Sequence, residues 1–131
     1  EERAVLLAKL DSPGWPEDKT AAVELQRQLE RLCAQYLLHA KHGQEPLDPV
    51  ARFHLGNGAR LQRLDWLGDT SATGMRRSAG LMVNYVYRLE DVERNHEAYA
   101  REHRIVASRR IEWLAGESLL ARHSPAQARH A

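Results

Sequence analysis

The chain has 131 residues, 43% hydrophobic and 28% charged, a composition that fits one folded domain and not a disordered tail. Nineteen lysines and arginines against eighteen aspartates and glutamates leave a formal charge of +1, so the field gives no basis for nucleic acid or an anionic membrane as partner. A single cysteine, Cys33, excludes a disulfide within the chain, and no apolar run reaches the roughly 18 residues of a membrane span.

The chain starts at Glu1, not at Met, and its first residues already read as helix, as expected of the tail of a longer or processed polypeptide. Residues 1–10 carry two acids at the start and place Val5, Leu6 and Leu10 largely on one side. Asp11-Ser12-Pro13-Gly14 breaks this helix. A long helix is expected from about Glu17 to Lys41, burying Leu25, Leu29, Leu32, Tyr36 and Ala40, with Gly43 as its C′ stop and Cys33 a buried structural thiol. Asp48-Pro49 is the clearest start signal: an N-cap aspartate followed by proline at the first helical position. That helix runs through VARFHL to Gly56-Asn57-Gly58, three residues that readily take positive φ.

Residues 59–67 read as a strand and residues 69–78 as turn chemistry with one short helical turn. The best strand is 81–87, with Leu81, Val83, Tyr85 and Tyr87 on one face and Met82, Asn84 and Val86 on the other. From Glu90 the chain is helical and charged, with an interruption at 104–107, and residues 123–131 read as a flexible tail. The sum is a helix-rich α/β (α+β) arrangement resembling half of a sheet, without internal repeats or linkers.

The segment LDPVARFHLGNGARLQRLDWLGDTS resembles the signature of the malonyl-CoA decarboxylase family, and SAGLMVNYVYRLEDVERNHEAY resembles its C-terminal region. RLCAQYLLHAKHG is similar to the helix before the signature and DSPGW to a loop, so the resemblance covers about residues 7–114. It implies that residues 1–122 are the C-terminal part of a catalytic domain with a GNAT-like acetyltransferase fold. In the family that domain follows a helical domain through which the enzyme forms homo-oligomers. The implied activity is conversion of malonyl-CoA to acetyl-CoA and CO2, part of fatty acid metabolism, without metal or organic cofactor. A cytoplasmic location is expected, since the ending Arg129-His130-Ala131 is not a peroxisomal signal.

Loss of CO2 leaves a thioester enolate, and a histidine is suited to donate the proton that quenches it. The family pattern makes the histidine of Phe-His-Leu that donor, which here is His54. The serine that holds the malonyl group and the loop that grips CoA lie upstream in the family. No serine of this chain falls in the matching context, so the 131 residues alone are expected to be inactive. Asn57 and Gly58 at the helix end, and Asn84 and Tyr85 on the strand, are further candidates to face the acyl group.

Arg76 and Arg77, beside Ser78, are candidates for a CoA phosphate or for a solvated turn. His96 and His103, seven apart, share a face if the helix is continuous, but no metal motif accompanies them. Trp15, Trp66 and Trp113 read as packing. Two other functions stay open from the residues: another CoA-dependent enzyme of this fold, such as an acyltransferase or polyketide-type decarboxylase, and a non-catalytic piece used for oligomerisation.

Overall fold

The computed structural model describes residues 2–122, with side chains as far as Gly116. In chain order the elements are α1 (Glu2–Asp11), a 3-10 turn (Trp15–Glu17), α2 (Lys19–His39), β1 (Lys41–His42), β2 (Glu45–Pro46), α3 (Pro49–Gly56), β3 (Arg60–Asp65), α4 (Ala72–Ser78), β4 (Met82–Val86), α5 (Leu89–Glu102) and α6 (Arg109–Arg122). They fall into two compact units, Glu1–Arg31 with Leu64–Met82, and Leu32–Arg63 with Val83–Ala131.

In the first unit, α1 has no buried residue, and Val5 and Leu7 are exposed. The apolar side expected of this helix is therefore not a core face. Its tie to α2 is the ion pair of Lys9 Nζ with Glu24 Oε2, 3.0 Å. Trp15 is buried and its ring meets that of Trp66 at 5.8 Å. The long helix starts two residues later than expected, because Glu17 belongs to the 3-10 turn and the Asp18 carboxylate accepts the amides of Thr20 and Ala21. Residues 69–78 hold a real helix, α4, whose N-cap Ser71 accepts the Gly74 amide at 3.0 Å.

In the second unit the long helix ends at His39, not Lys41. Lys41 and His42 pair antiparallel with Pro46 and Glu45, so Gly43 (φ 66) serves a hairpin turn and not a helix stop. This two-residue pairing carries no hydrophobic alternation, which is why the residues gave no sign of it. The buried positions of α2 are Leu25, Glu30, Ala34 and Leu37, whereas Leu32 and Tyr36 are exposed and Cys33 is half-buried. Leu25 is buried as expected, but beyond it the buried stripe runs through Glu30, Ala34 and Leu37 and leaves out Leu32 and Tyr36.

The strands are shorter than expected, 60–65 and 82–86, and form one two-stranded sheet. Leu61 also makes a parallel bridge to Ala107, its amide bonding the Val106 carbonyl at 2.8 Å. This contact falls in the interruption anticipated between the last two helices. Ser108 then caps α6, its Oγ accepting the Ile111 amide. Leu61, Ile111, Leu114 and Ala115 are buried. Each large apolar side chain so enclosed stabilises the fold by about 1.5–3 kcal/mol. Among the described residues no helix is long and apolar enough to cross a membrane. The tail expectation for residues 123–131 lies outside the described residues.

Candidate active site

Helix α3 brings the site together. Asp48 caps it through a 2.9 Å bond from the Ala51 amide, and Pro49 occupies the first turn, as expected. The same carboxylate accepts the Tyr36 hydroxyl at 3.3 Å. Ala51 and Leu55 point into the core, which sets Val50, Phe53 and His54 on the outer part of the helix.

His54 is half-buried and surrounded by aromatic rings. Its Nδ1 lies 2.7 Å from the hydroxyl of Tyr87. The ring of Tyr85 stacks on the imidazole with centroids 4.6 Å apart and planes at 24°. Phe53 meets it edge-on at 5.2 Å and is largely exposed. Tyr85 lies on β4 and Tyr87 one residue past its end, two apart in sequence, and both reach the same imidazole. Burial, then the nearby Asp48 carboxylate, pushes the Tyr85 phenol far above the ordinary tyrosine range. Tyr85 therefore stays a neutral, uncharged wall.

With Nδ1 bonded to Tyr87, Nε2 is the ring nitrogen left for chemistry; among the described residues it has no hydrogen bond. A phenol oxygen can accept an Nδ1–H, and that arrangement permits Nε2 to lose and regain a proton without turning the ring.

The other candidates separate. Asn57 is the C-cap of α3 with φ −94, and its side-chain amide donates to the Phe53 carbonyl at 2.9 Å. Of the three residues expected to take positive φ, only Gly58 does so (φ 93). Gly58 is buried and packs against the Val92 carbonyl, so its part is to turn the backbone. Asn84 is next to Tyr85 on a strand and points to the opposite face, so the two do not share one site. Only Tyr85 of that pair reaches His54.

Arg76 and Arg77 lie in the last turn of α4, both exposed. Arg76 borders an open groove of ≈ 850 Å³ in the first unit that also contains Asp11 and Glu17, a mixed charge that does not select a phosphate. His103 is the left-handed C-cap of α5 (φ 56), outside the helix, so the spacing of seven does not put it on a face with His96. No group of three potential metal ligands exists among the described residues. Trp113 is half exposed under the Arg110 guanidinium. Tyr87 touches His54 but is absent from the expected set, although the alternation over 81–87 that groups it with Tyr85 is a sufficient signal.

A helix-borne histidine, stacked on a strand tyrosine and bonded to the tyrosine just past that strand, marks the class, a mixed helix–strand domain. A family model described as the malonyl-CoA decarboxylase C-terminal domain matches residues 1–127. The mitochondrial malonyl-CoA decarboxylases of Anser anser anser and Rattus norvegicus are each 45% identical over 102 residues, 78% of this chain and 20% and 21% of theirs. The crystal structure of malonyl-CoA decarboxylase from Rhodopseudomonas palustris superposes with a TM-score of 0.80 at 52% identity, over 83% of this chain and 25% of that one. The enzyme from Agrobacterium vitis gives 0.77 at 52% identity, over 85% and 28%. The chain belongs to the malonyl-CoA decarboxylase family. It spans about a fifth of the length of the curated relatives it matches.

Proposed function

We propose that this domain supplies the acid of a malonyl-CoA decarboxylase, with His54 delivering the proton that converts the enolate to acetyl-CoA. The observation that carries this reading is the Nδ1 bond to Tyr87, which directs Nε2 away from its anchor. In the step, the bond between the malonyl carboxylate carbon and C2 breaks and CO2 leaves. Its electron pair passes into the C2–thioester enolate. The imidazolium then gives its Nε2 proton to C2, and the neutral ring keeps Nδ1–H on Tyr87 until solvent restores the proton at Nε2.

The rest of the reading is family-based. The domain is the C-terminal part of a GNAT-like fold, residues outside this chain hold the malonyl carboxylate and CoA, and a separate helical domain makes the homo-oligomer in the cytoplasm. On that account the 131 residues alone turn over no malonyl-CoA. The test is His54→Ala in the full-length protein that carries this domain. Turnover falls by ~10²–10⁴, the usual worth of a positioned acid, while CoA binding persists. Turnover within about threefold of the parent removes His54 from the mechanism.

A further inference from the structure

We infer that Asn95 and His96 of α5 are positioning residues for His54, acting through the turn that ends α3. The catalytic meaning of this inference rests on the function proposed above; the geometry does not. Val92, Asn95, His96 and Tyr99 recur at spacings of three, one and three, the pattern of one helix face. All four converge on Gly56-Asn57-Gly58.

A helix end leaves carbonyls without intrahelical partners, and these need donors from elsewhere. Asn95, buried, donates its Nδ2 to the Gly58 carbonyl at 3.2 Å. His96 meets the Gly56 carbonyl with Nδ1 at 2.7 Å, which requires that Nδ1 carry the hydrogen. The Tyr99 ring covers Gly56, where an added Cβ would lie 3.5 Å from it, and the Tyr99 hydroxyl is anchored on Glu45. Gly58 lies against the Val92 carbonyl too closely for any side chain.

His54 belongs to this same turn. Its carbonyl accepts the amides of Asn57 at 3.1 Å and Ala59 at 3.0 Å. Any rotation of the turn therefore moves the His54 backbone, while the imidazole must meet the Tyr85 ring on β4 and the Tyr87 hydroxyl just past it. The residue is held from two sides, its backbone by α5 and its ring by the strand. Displacements of about 1 Å at such a group cost on the order of 10²-fold in rate.

The experiment reads the His54 ring directly in the 131-residue chain by NMR. The stacked Tyr85 ring displaces the His54 ring protons upfield through its ring current. Asn95→Leu keeps volume and removes the donor, and His96→Ala removes the exposed donor without touching the core. Both are expected to lose most of the upfield displacement while backbone signals of Leu61 and Ile111 stay in place. His96→Asn restores a donor near the Nδ1 position and is expected to recover it. A merely structural role would lower the unfolding midpoint yet leave the displacement intact in the folded molecules, and that result overturns the inference. If Asn95→Leu does not fold, the His96 pair decides. Displacement lost in His96→Ala and kept in His96→Asn supports the role, whereas displacement kept in both or lost in both overturns it. No turnover enters this readout, so it fails or succeeds independently of the decarboxylation assay.

Discussion

The Nδ1 atom of His54 and the hydroxyl of Tyr87, 33 residues apart in sequence, lie 2.7 Å from each other. Tyr87→Phe removes that hydroxyl and nothing else. Turnover by the full-length protein is expected to fall about tenfold, the rate equivalent of one hydrogen bond of about 1.4 kcal/mol, with KM little changed. A parent-like kcat for Tyr87→Phe means that the bond does not set the working orientation of the ring.

Tyr85 and Tyr99 share a linkage to alkaline pH. Burial raises both phenols, with the Asp48 charge second for Tyr85 and the Glu45 hydrogen bond second for Tyr99. Above pH ~10 the unfolded chain ionises these tyrosines while the folded chain keeps them protonated. The folded state then binds more protons, so stability is fully present below that pH and declines as pH rises. Spectrophotometric titration is expected to show Tyr85 and Tyr99 ionising only together with loss of the circular dichroism of the fold. Reversible ionisation of all four tyrosines near pH 10 in the folded chain contradicts this.

Asp48→Ala removes the α3 N-cap. Such losses destabilise by about 0.5–2 kcal/mol, and urea unfolding is expected to show a shift in that range. The same change removes the acceptor of Tyr36, whose phenol is raised by burial and then by the Asp48 charge. The titration midpoint of Tyr36 is therefore expected to fall in the variant, which is the second check.

Gly58→Ala combines a left-handed backbone (φ 93) with a clash on the Val92 carbonyl. Strained residues of this kind cost of order 1–3 kcal/mol before any clash is counted. Thermal unfolding is expected at a clearly lower midpoint than the parent's. Gly43→Ala, at φ 66 with open space around it, is expected to cost less. Equal losses at the two glycines rule out the Val92 contact as the larger cause.

Much of the site was legible because its signals are local. Asp48-Pro49 set the start of α3, and the alternation of 81–87 put Tyr85 and Tyr87 on one face. The burial stripe of α2 was not, since Leu32 and Tyr36 fit the helical period as well as Ala34 and Leu37 do. Only tertiary contacts choose between overlapping stripes on one helix. The partnership of α5 with the α3 turn was equally silent, because Asn95 to Gly58 is a pairing across 37 residues that no periodicity marks. The histidine spacing of seven misled for a local reason, the left-handed cap at His103.

The order in which the chain is synthesised gives the site a schedule. Helix α3 leaves the ribosome with its cap already in hand, but Tyr85, Tyr87, Asn95 and His96, which meet the His54 ring or its turn, are encoded later. Residues 64–82, which belong to the other unit, must emerge first. A nascent polypeptide halted before Tyr85 carries His54 on a finished helix with neither tyrosine beside it. The surroundings of His54 are thus completed by long-range closure only once α5 has been made, and a premature stop anywhere before Tyr99 yields a chain with the histidine present and its turn unsupported.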